Sequence, residues 1–336
     1  MAGAGRRRRL ILALETSCDD TCAAVVDGGQ IRSNVISSQA AAHERFGGVV
    51  PEVASRHHLE LVNAVVDAAL DDAGVALSDV DSLAVTRGPG LIGALLVGIS
   101  TAKGLAAATR KPLAGVDHLH GHVAANFLEP DPLEPPFLCL IASGGHTLLA
   151  GVRDHSGFEV LGQTLDDAAG EALDKGARML ELGFPGGPAI EREAVAGDPE
   201  AFEFPVAMAH GPGLDFSFSG LKTALLYLVR DLGPEETRAR RADLAASFQA
   251  AVVEQLVARV KRAVEAGDWP AVALGGGVAA NGLLRARVRK LCEERDLRFK
   301  LVAPELCTDN AAMIGAAANF LEPAPFPDYL SWDARA

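Results

Sequence analysis

A short apolar run, a small polar turn and a second apolar run occur twice in this chain, and that recurrence limits the fold more than any other feature. Residues 10–14 are uniformly apolar and bounded by polar residues, the pattern of a buried strand. Glu15-Thr16-Ser17-Cys18-Asp19-Asp20-Thr21 is the turn, and residues 22–26 run back until Asp27-Gly28-Gly29 stops them. The same design returns as residues 137–142, the loop Ser143-Gly144-Gly145-His146-Thr147, and residues 148–152. Between the two hairpins the periodicity becomes helical over 58–73, extended over 80–86, and helical again from about 91 to 109, after the turn Arg87-Gly88-Pro89-Gly90. Beyond the second hairpin an amphipathic helix is expected over 244–266. A strand at 272–274 enters Gly275-Gly276-Gly277, then come a helix over 281–294, a strand over 299–302 and an Ala-rich helix over 311–319. Strands alternating with helices behind two matching hairpins predict an α/β chain of two related lobes. The Pro-rich stretch between 129 and 136 is the linker.

The 336 residues suffice for two domains, and 49% hydrophobic residues supply their cores. Net charge is −13, which excludes a protein that coats nucleic acid unaided. Any nucleic-acid substrate then needs a local basic patch or a helper subunit. The one dense basic run, Arg6-Arg7-Arg8-Arg9, reads as a solvated arm. Five scattered cysteines, with no second pair to match Cys18 and Cys22, argue for reduced thiols rather than a four-cysteine zinc site. The apolar segment behind Arg9 is too short for a signal peptide. No stretch reads as an uninterrupted membrane span, since Gly98, Ser100 and Lys103 break the best one. A cytoplasmic location is expected.

Val116-Asp117-His118-Leu119-His120-Gly121-His122 carries the most specific chemistry. Four of the nine histidines lie between 118 and 146. On a helix, His118 and His122 share one face, the geometry for two nitrogen ligands on one ion. His120 points elsewhere. A third ligand is required, and a carboxylate is the usual one. Asp309 in Cys307-Thr308-Asp309-Asn310 opens the Ala-rich helix, where it either caps that helix or completes the ligand set. Ser143-Gly144-Gly145-His146 exposes bare N–H groups that can approach an anion, or is simply a turn. Gly275-Gly276-Gly277, between a strand and a helix, is the better nucleotide signal, although neither place fits Rossmann or P-loop spacing. Pro185-Gly186-Gly187-Pro188 is a tight turn. Asp166 to Lys175 sets several carboxylates on a helix, of which Asp174 is placed to accept from ribose hydroxyls.

Taken in order, these blocks closely resemble the bacterial tRNA adenosine threonylcarbamoyltransferase family (TsaD-like), from about residue 10 to 317. The carriers include Glu15-Thr16-Ser17-Cys18-Asp19, Gly47-Gly48-Val49-Val50-Pro51-Glu52, Arg87-Gly88-Pro89-Gly90-Leu91, the 118–122 segment, and Ser143-Gly144-Gly145-His146-Thr147. Asp166-Asp167-Ala168-Ala169-Gly170-Glu171, Phe184-Pro185-Gly186-Gly187-Pro188, Leu214 through Thr223, and Cys307-Thr308-Asp309-Asn310 extend the match. The resemblance implies an α/β fold of the actin-like, sugar-kinase-like (ASKHA) type, two-lobed, with duplicated mixed sheets and a central cleft. The expected divisions are an N-terminal lobe over 10–130, a C-terminal lobe over 137–303, a returning segment over 304–322 and an irregular tail over 323–336. The resemblance also implies a divalent metal, iron (Fe2+) or else zinc, on His118, His122 and Asp309. It assigns threonylcarbamoyl-AMP to Ile141, Ala142, Ser143, Gly144, Gly145, Asp174, Gly187 and Asn281. Glu191 stands where many relatives carry an aspartate that touches the nucleotide.

The implied reaction is attack of an adenosine amine of tRNA on the mixed anhydride, with AMP leaving. Backbone N–H groups near Ser143 and Gly144 are candidates to steady the developing charge. Glu15 and Asp19 are the candidate bases. The implied partners are tRNA, a separate synthase that supplies the adenylate, a paralogous TsaB-like protein and a TsaE-like ATPase. One departure stands out: relatives usually have Glu at the position of His120 and often His at that of Asp117. A kinase on the same fold, a metallopeptidase and a non-catalytic ATP-binding scaffold are the rivals. The peptidase lacks its general base, because Leu119 stands where a His-Glu-x-x-His motif needs Glu.

Overall fold

The computed structural model describes residues 8–44, 46–205 and 213–335; Arg6 and Arg7 lie outside them. Two compact units divide the chain. The first takes the residues up to Glu134, then 155–157 and everything from Asp309; the second takes 135–154 and 158–308.

Elements are numbered in chain order. The first unit is built on β1 (Leu10–Glu15), β2 (Asp20–Asp27), β3 (Gln30–Ser38), β4 (Ser82–Gly88) and β5 (Leu113–Asp117), in spatial order β3-β2-β1-β4-β5. β1 and β2 are antiparallel from Leu10↔Asp27 to Glu15↔Cys22, whereas β4 runs parallel to β1 and β5 parallel to β4. The second unit has β6 (Phe137–Ala142), β7 (Thr147–Asp154), β8 (Gly157–Gln163), β9 (Ala271–Gly275) and β10 (Arg298–Leu301), in order β10-β9-β6-β7-β8. β6 and β7 are antiparallel, and β9 and β10 continue parallel to β6. The two sheets therefore follow one plan, as the repeated hairpin predicts. Each hairpin has a third strand that the residue pattern conceals: β3 and β8 are half-exposed and polar, without clean alternation.

In the first unit, β1 is wholly buried from Ile11 to Leu14. One face meets α2 (Pro51–Ala73) and α3 (Ile92–Thr109), where Leu12, Leu14, Leu83 and Val85 pack with Val62, Val66, Leu95 and Ile99. The other face meets α10 (Ala311–Ala318), whose small residues allow close approach: a Cβ on Gly315 would lie 2.7 Å from Val26. α3 is long and apolar enough to cross a membrane by composition, but Ala94, Leu95, Ile99, Ala102 and Ala106 of this helix lie in the core. The remaining helices of this unit are α1 (Ala40–Glu44) and α4 (His118–Ala124). In the second unit the helices are α5 (Ala169–Met179), α6 (Gly186–Ala194), α7 (Ser219–Ala239, kinked at Gly233), α8 (Arg241–Ala266) and α9 (Gly282–Glu294).

Three expectations are corrected. Arg9 is not part of a solvated arm: one guanidinium nitrogen donates to the carbonyls of Ala318, Asn319 and Leu321 at 2.8–3.0 Å, closing the C-terminal end of α10. The return to the first unit starts at Asp309 rather than at 304, because Arg285 of α9 holds the Cys307 thiol at 3.5 Å. The tail is not irregular throughout. Ala324 pairs with Leu113 at the sheet edge, residues Asp328–Ser331 form a 3-10 turn, and Tyr329 is fully buried.

Candidate metal centre

β5 runs directly into α4. Asp117 accepts from Leu119 N–H and His120 N–H and so serves as the helix N-cap. Gly121 lets α4 approach α10 closely: a Cβ there would lie 2.7 Å from the Ile314 side chain and 3.2 Å from that of Met313. This close contact sets the histidines of α4 beside the start of α10. That start is capped by Asn310, whose side chain accepts from Met313 N–H. Asp309 is therefore not the capping residue, which settles one of its two readings against it.

His118, His122 and Asp309 come together, with one donor atom from each within 4.8 Å of the others. Asp309 Oδ1 is 3.6 Å from His118 Nε2 and 3.3 Å from His122 Nε2. Metal–ligand bonds of about 2.1 Å set neighbouring donors about 3.0–3.4 Å apart, so the spacing suits one ion. Both histidines are buried; His122 Nδ1 has no hydrogen-bond partner, and its Nε2 makes no well-directed hydrogen bond although Asp309 Oδ1 lies 3.3 Å away. A buried imidazole without a partner is costly unless its lone pair is used. The residues fit a divalent cation.

The support behind His118 is what residue reading missed. Glu15, fully buried at the end of β1, lies 3.0 Å from His118 Nδ1; Ser17 Oγ lies 3.1 Å from the same nitrogen. Thr86 Oγ1 donates to Glu15 at 2.5 Å, and Ser17 N–H donates to its other oxygen. Burial alone would raise the Glu15 carboxyl, but the adjacent His118 holds it below the ordinary carboxylate range. Burial likewise pulls His118 down, yet Asp309 and Glu15 outweigh it and push the imidazole up to about 9. Two carboxylates thus favour positive charge at this ring, and the proton stands where an ion would. Glu15, a candidate base by residue type, is thus placed to orient the His118 ring. The only advance signal was its place at a strand end before a polar turn. Asp19 stays partly exposed in that turn.

Nearby, burial pushes the Asp20 carboxyl up to about 7, against the Ser38 hydroxyl, and its Oδ1 has no partner. Because that value lies above the ordinary 3.8, the carboxyl favours the fold only while protonated. The contribution is full below about pH 4 and is lost as pH rises through about 7. Urea denaturation of metal-free protein is expected to show this loss, and Asp20→Asn to flatten it.

In the second unit the assigned residues form a separate group. The loop after β6 leaves Gly144 and Gly145 exposed with open space around them, whereas Ile141 and Ala142 are buried strand residues. Ser143 N–H is spent on the His146 carbonyl at 2.8 Å, so it cannot serve as an anion donor. Asp166 and Asp167 precede α5 rather than ride on it. Asp166 accepts from Ser217 and from both N–H and hydroxyl of Ser219, and Asp167 pairs with Lys175 and Lys222. Asp174 accepts Gly186 N–H at 2.7 Å and also bonds Gly187 N–H, so the supposed tight turn is the start of α6, held by α5. Burial raises the Asp174 carboxyl, which those bonds oppose. Glu191 accepts Gly282 N–H at 2.7 Å, the first residue of α9. Asn281 caps α9 through Leu284 N–H and donates to Gln249 at 3.0 Å. Gly276 lies at φ 83° and ψ 161°, a region open essentially to glycine, and a Cβ there would meet the Ala142 carbonyl at 2.4 Å. Gly276→Ala is expected to cost about 3 kcal/mol in urea denaturation, from backbone strain plus displacement of β6.

A family model described as tRNA N6-adenosine threonylcarbamoyltransferase matches residues 30–316. The protein of that name from Clostridium perfringens (strain SM101) is 51% identical over 314 residues, 93% of each chain. Its namesake from Clostridium botulinum (strain 657) is 52% identical over 311 residues, 92% of each. Among solved structures, component A of (R)-2-hydroxyglutaryl-CoA dehydratase from Acidaminococcus fermentans superposes with a TM-score of 0.56 at 14% identity, covering 96% of this chain and all of that one. That likeness bears on the fold alone, which is of the actin-like, sugar-kinase-like class.

Proposed function

The chain belongs to the tRNA N6-adenosine threonylcarbamoyltransferase family, and from that premise we propose that it carries the threonylcarbamoyl group from threonylcarbamoyl-AMP to the exocyclic amine of the adenosine 3′ of the anticodon, in tRNAs that read codons starting with A. The protein is a transferase and its acceptor is tRNA. The observation that carries this is identity of about half along 93% of the chain. These relatives do not favour a small-molecule kinase or a non-catalytic scaffold.

For the site we propose one divalent ion per subunit, Fe2+, with zinc as its competitor. His118 Nε2, His122 Nε2 and the Asp309 carboxylate would hold it. When bound, it supplies Lewis-acid polarisation of the threonylcarbamoyl carbonyl. Glu15 keeps the Nδ1 proton of His118 in place, so that Nε2 keeps its lone pair for the ion. The exposed N–H groups of Gly144 and Gly145 remain available to phosphate or oxyanion once Ser143 is set aside. Asp174, Gly187, Glu191 and Asn281 shape the ground around the adenylate through the bonds already described. An aromatic amine is a poor nucleophile, so orientation supplies much of the rate. Asp19 is the carboxylate left for a proton-accepting role.

The adenylate comes from a separate synthase on this reading, and a TsaB-like paralogue and a TsaE-like ATPase assist in the cytoplasm. Exposed Leu59, Ile92 and Leu96 on α2 and α3 offer the paralogue an apolar face. The acidic balance of the chain supports shared tRNA binding. The test combines metal analysis of the purified chain with threonylcarbamoyl-AMP and tRNA, read by nucleoside mass spectrometry with and without those partners. Appearance of the threonylcarbamoyl nucleoside is the expected result. Its absence under every condition, with phosphoryl transfer to a small acceptor instead, would overturn the proposal.

A further inference from the structure

α4 holds two of the three ligands but has only seven residues. A helix so short is not stable by itself and takes its orientation from what touches it. The Asp117 cap fixes its start, and Gly121 against Ile314 and Met313 fixes one side. Glu15 and Ser17 hold the His118 ring, and a further constraint comes from His120. At about 100° per residue, position 120 faces roughly opposite to the direction midway between 118 and 122. His120 is buried, and its Nε2 lies 3.1 Å from the backbone carbonyl oxygen of His155.

The side chain of His155 is itself held. The His155 ring stacks on Phe320 at 4.2 Å between centroids, with an interplanar angle of 11°. Phe127 meets the His155 ring edge-on at 4.7 Å and Phe320 at 5.4 Å. Phe127 ends the 3-10 turn that continues α4, and Phe320 follows the end of α10. The three rings thus tie α4, which carries two of the ligands, to α10, which follows the third.

We propose that His120 is a positioning residue for the metal centre: its bond to the His155 carbonyl, clamped by the Phe127–Phe320 pair, sets the rotation of α4 and so the spacing of His118 and His122. The inference rests on the metal reading above and deepens it. The imidazole N–H can donate to that carbonyl, which a carboxylate at position 120 could not do.

The test is metal affinity by chelator competition with Zn2+, together with the visible spectrum of Co2+-loaded protein. His120→Leu keeps bulk and removes the donor; it is expected to weaken Zn2+ binding about tenfold and to shift the Co2+ bands. His120→Gln retains an N–H donor and is expected to restore both. Phe320→Leu loosens the clamp while leaving His120 in place, and is expected to weaken binding by a smaller factor; it decides the matter should His120→Leu not fold. Wild-type affinity and spectrum in His120→Leu, or in Phe320→Leu where that stands in, overturn the proposal whatever the melting temperature does. So does a His120→Gln variant as impaired as His120→Leu. Wild-type protein that binds neither ion removes the metal reading itself, and this inference with it; wild-type binding with unaltered variants sinks the inference alone.

Discussion

Asp309→Ala is expected to empty the metal centre and to slow threonylcarbamoyl transfer by about 10²- to 10³-fold, the equivalent of about 3–4 kcal/mol of lost carbonyl polarisation. The size of the effect follows from the geometry. Asp309 is the one acidic member of the triad, and its Oδ1 is the atom on which both Nε2 nitrogens converge. Two neutral imidazoles leave a divalent cation under-coordinated and its charge uncompensated. The substitution should spare the fold, since Asn310 rather than Asp309 caps α10. Metal content per chain and nucleoside mass spectrometry give the readout, with circular dichroism to verify structure. A variant that keeps a full equivalent of metal, or the wild-type rate, would remove Asp309 from the site and reopen the scaffold rival.

Glu15→Gln is expected to weaken metal binding by about 10- to 100-fold, the usual penalty for losing the partner that orients a ligating histidine. The substitution changes no volume, so packing of the fully buried side chain is kept. What changes is the character of the atoms near His118 Nδ1. A carboxylate oxygen 3.0 Å away holds a proton on Nδ1 and frees Nε2. An amide N–H turned to the same nitrogen selects the opposite tautomer and blocks the ligand position; an amide oxygen there holds the tautomer but lacks the charge. Titration with a competing chelator measures the change. Undiminished affinity would mean that Ser17 and the helix alone orient the ring, and Glu15 would then regain its standing as a candidate base.

The hairpin repeat announced the fold because strand periodicity is a local property. Residues 10–14 and 137–142 carry it in a few consecutive side chains, and both became the central strands of matching sheets. β3 and β8 escaped notice because their partners on the sheet, not their own alternation, hold them. Arg9 looked like part of a charged arm until the carbonyls at the end of α10 were brought to it. Asp174 and Glu191 read as ligand-facing carboxylates; only the fold shows that each also accepts from an N–H that opens a helix.

The amino-acid order by itself determined that His118 and His122 share a helical face, since a spacing of four residues decides that regardless of the rest of the chain. It also determined that an acidic chain of this kind cannot grip RNA by net charge alone. Only the tertiary structure brought Asp309 to the two imidazoles, gave the cap to Asn310, set Glu15 behind one imidazole, and carried His120 to the His155 carbonyl. Those pairings join residues far apart in sequence. No periodicity encodes them, because they arise from how β1, β5, α4 and α10 pack, and packing is a property of the whole folded unit.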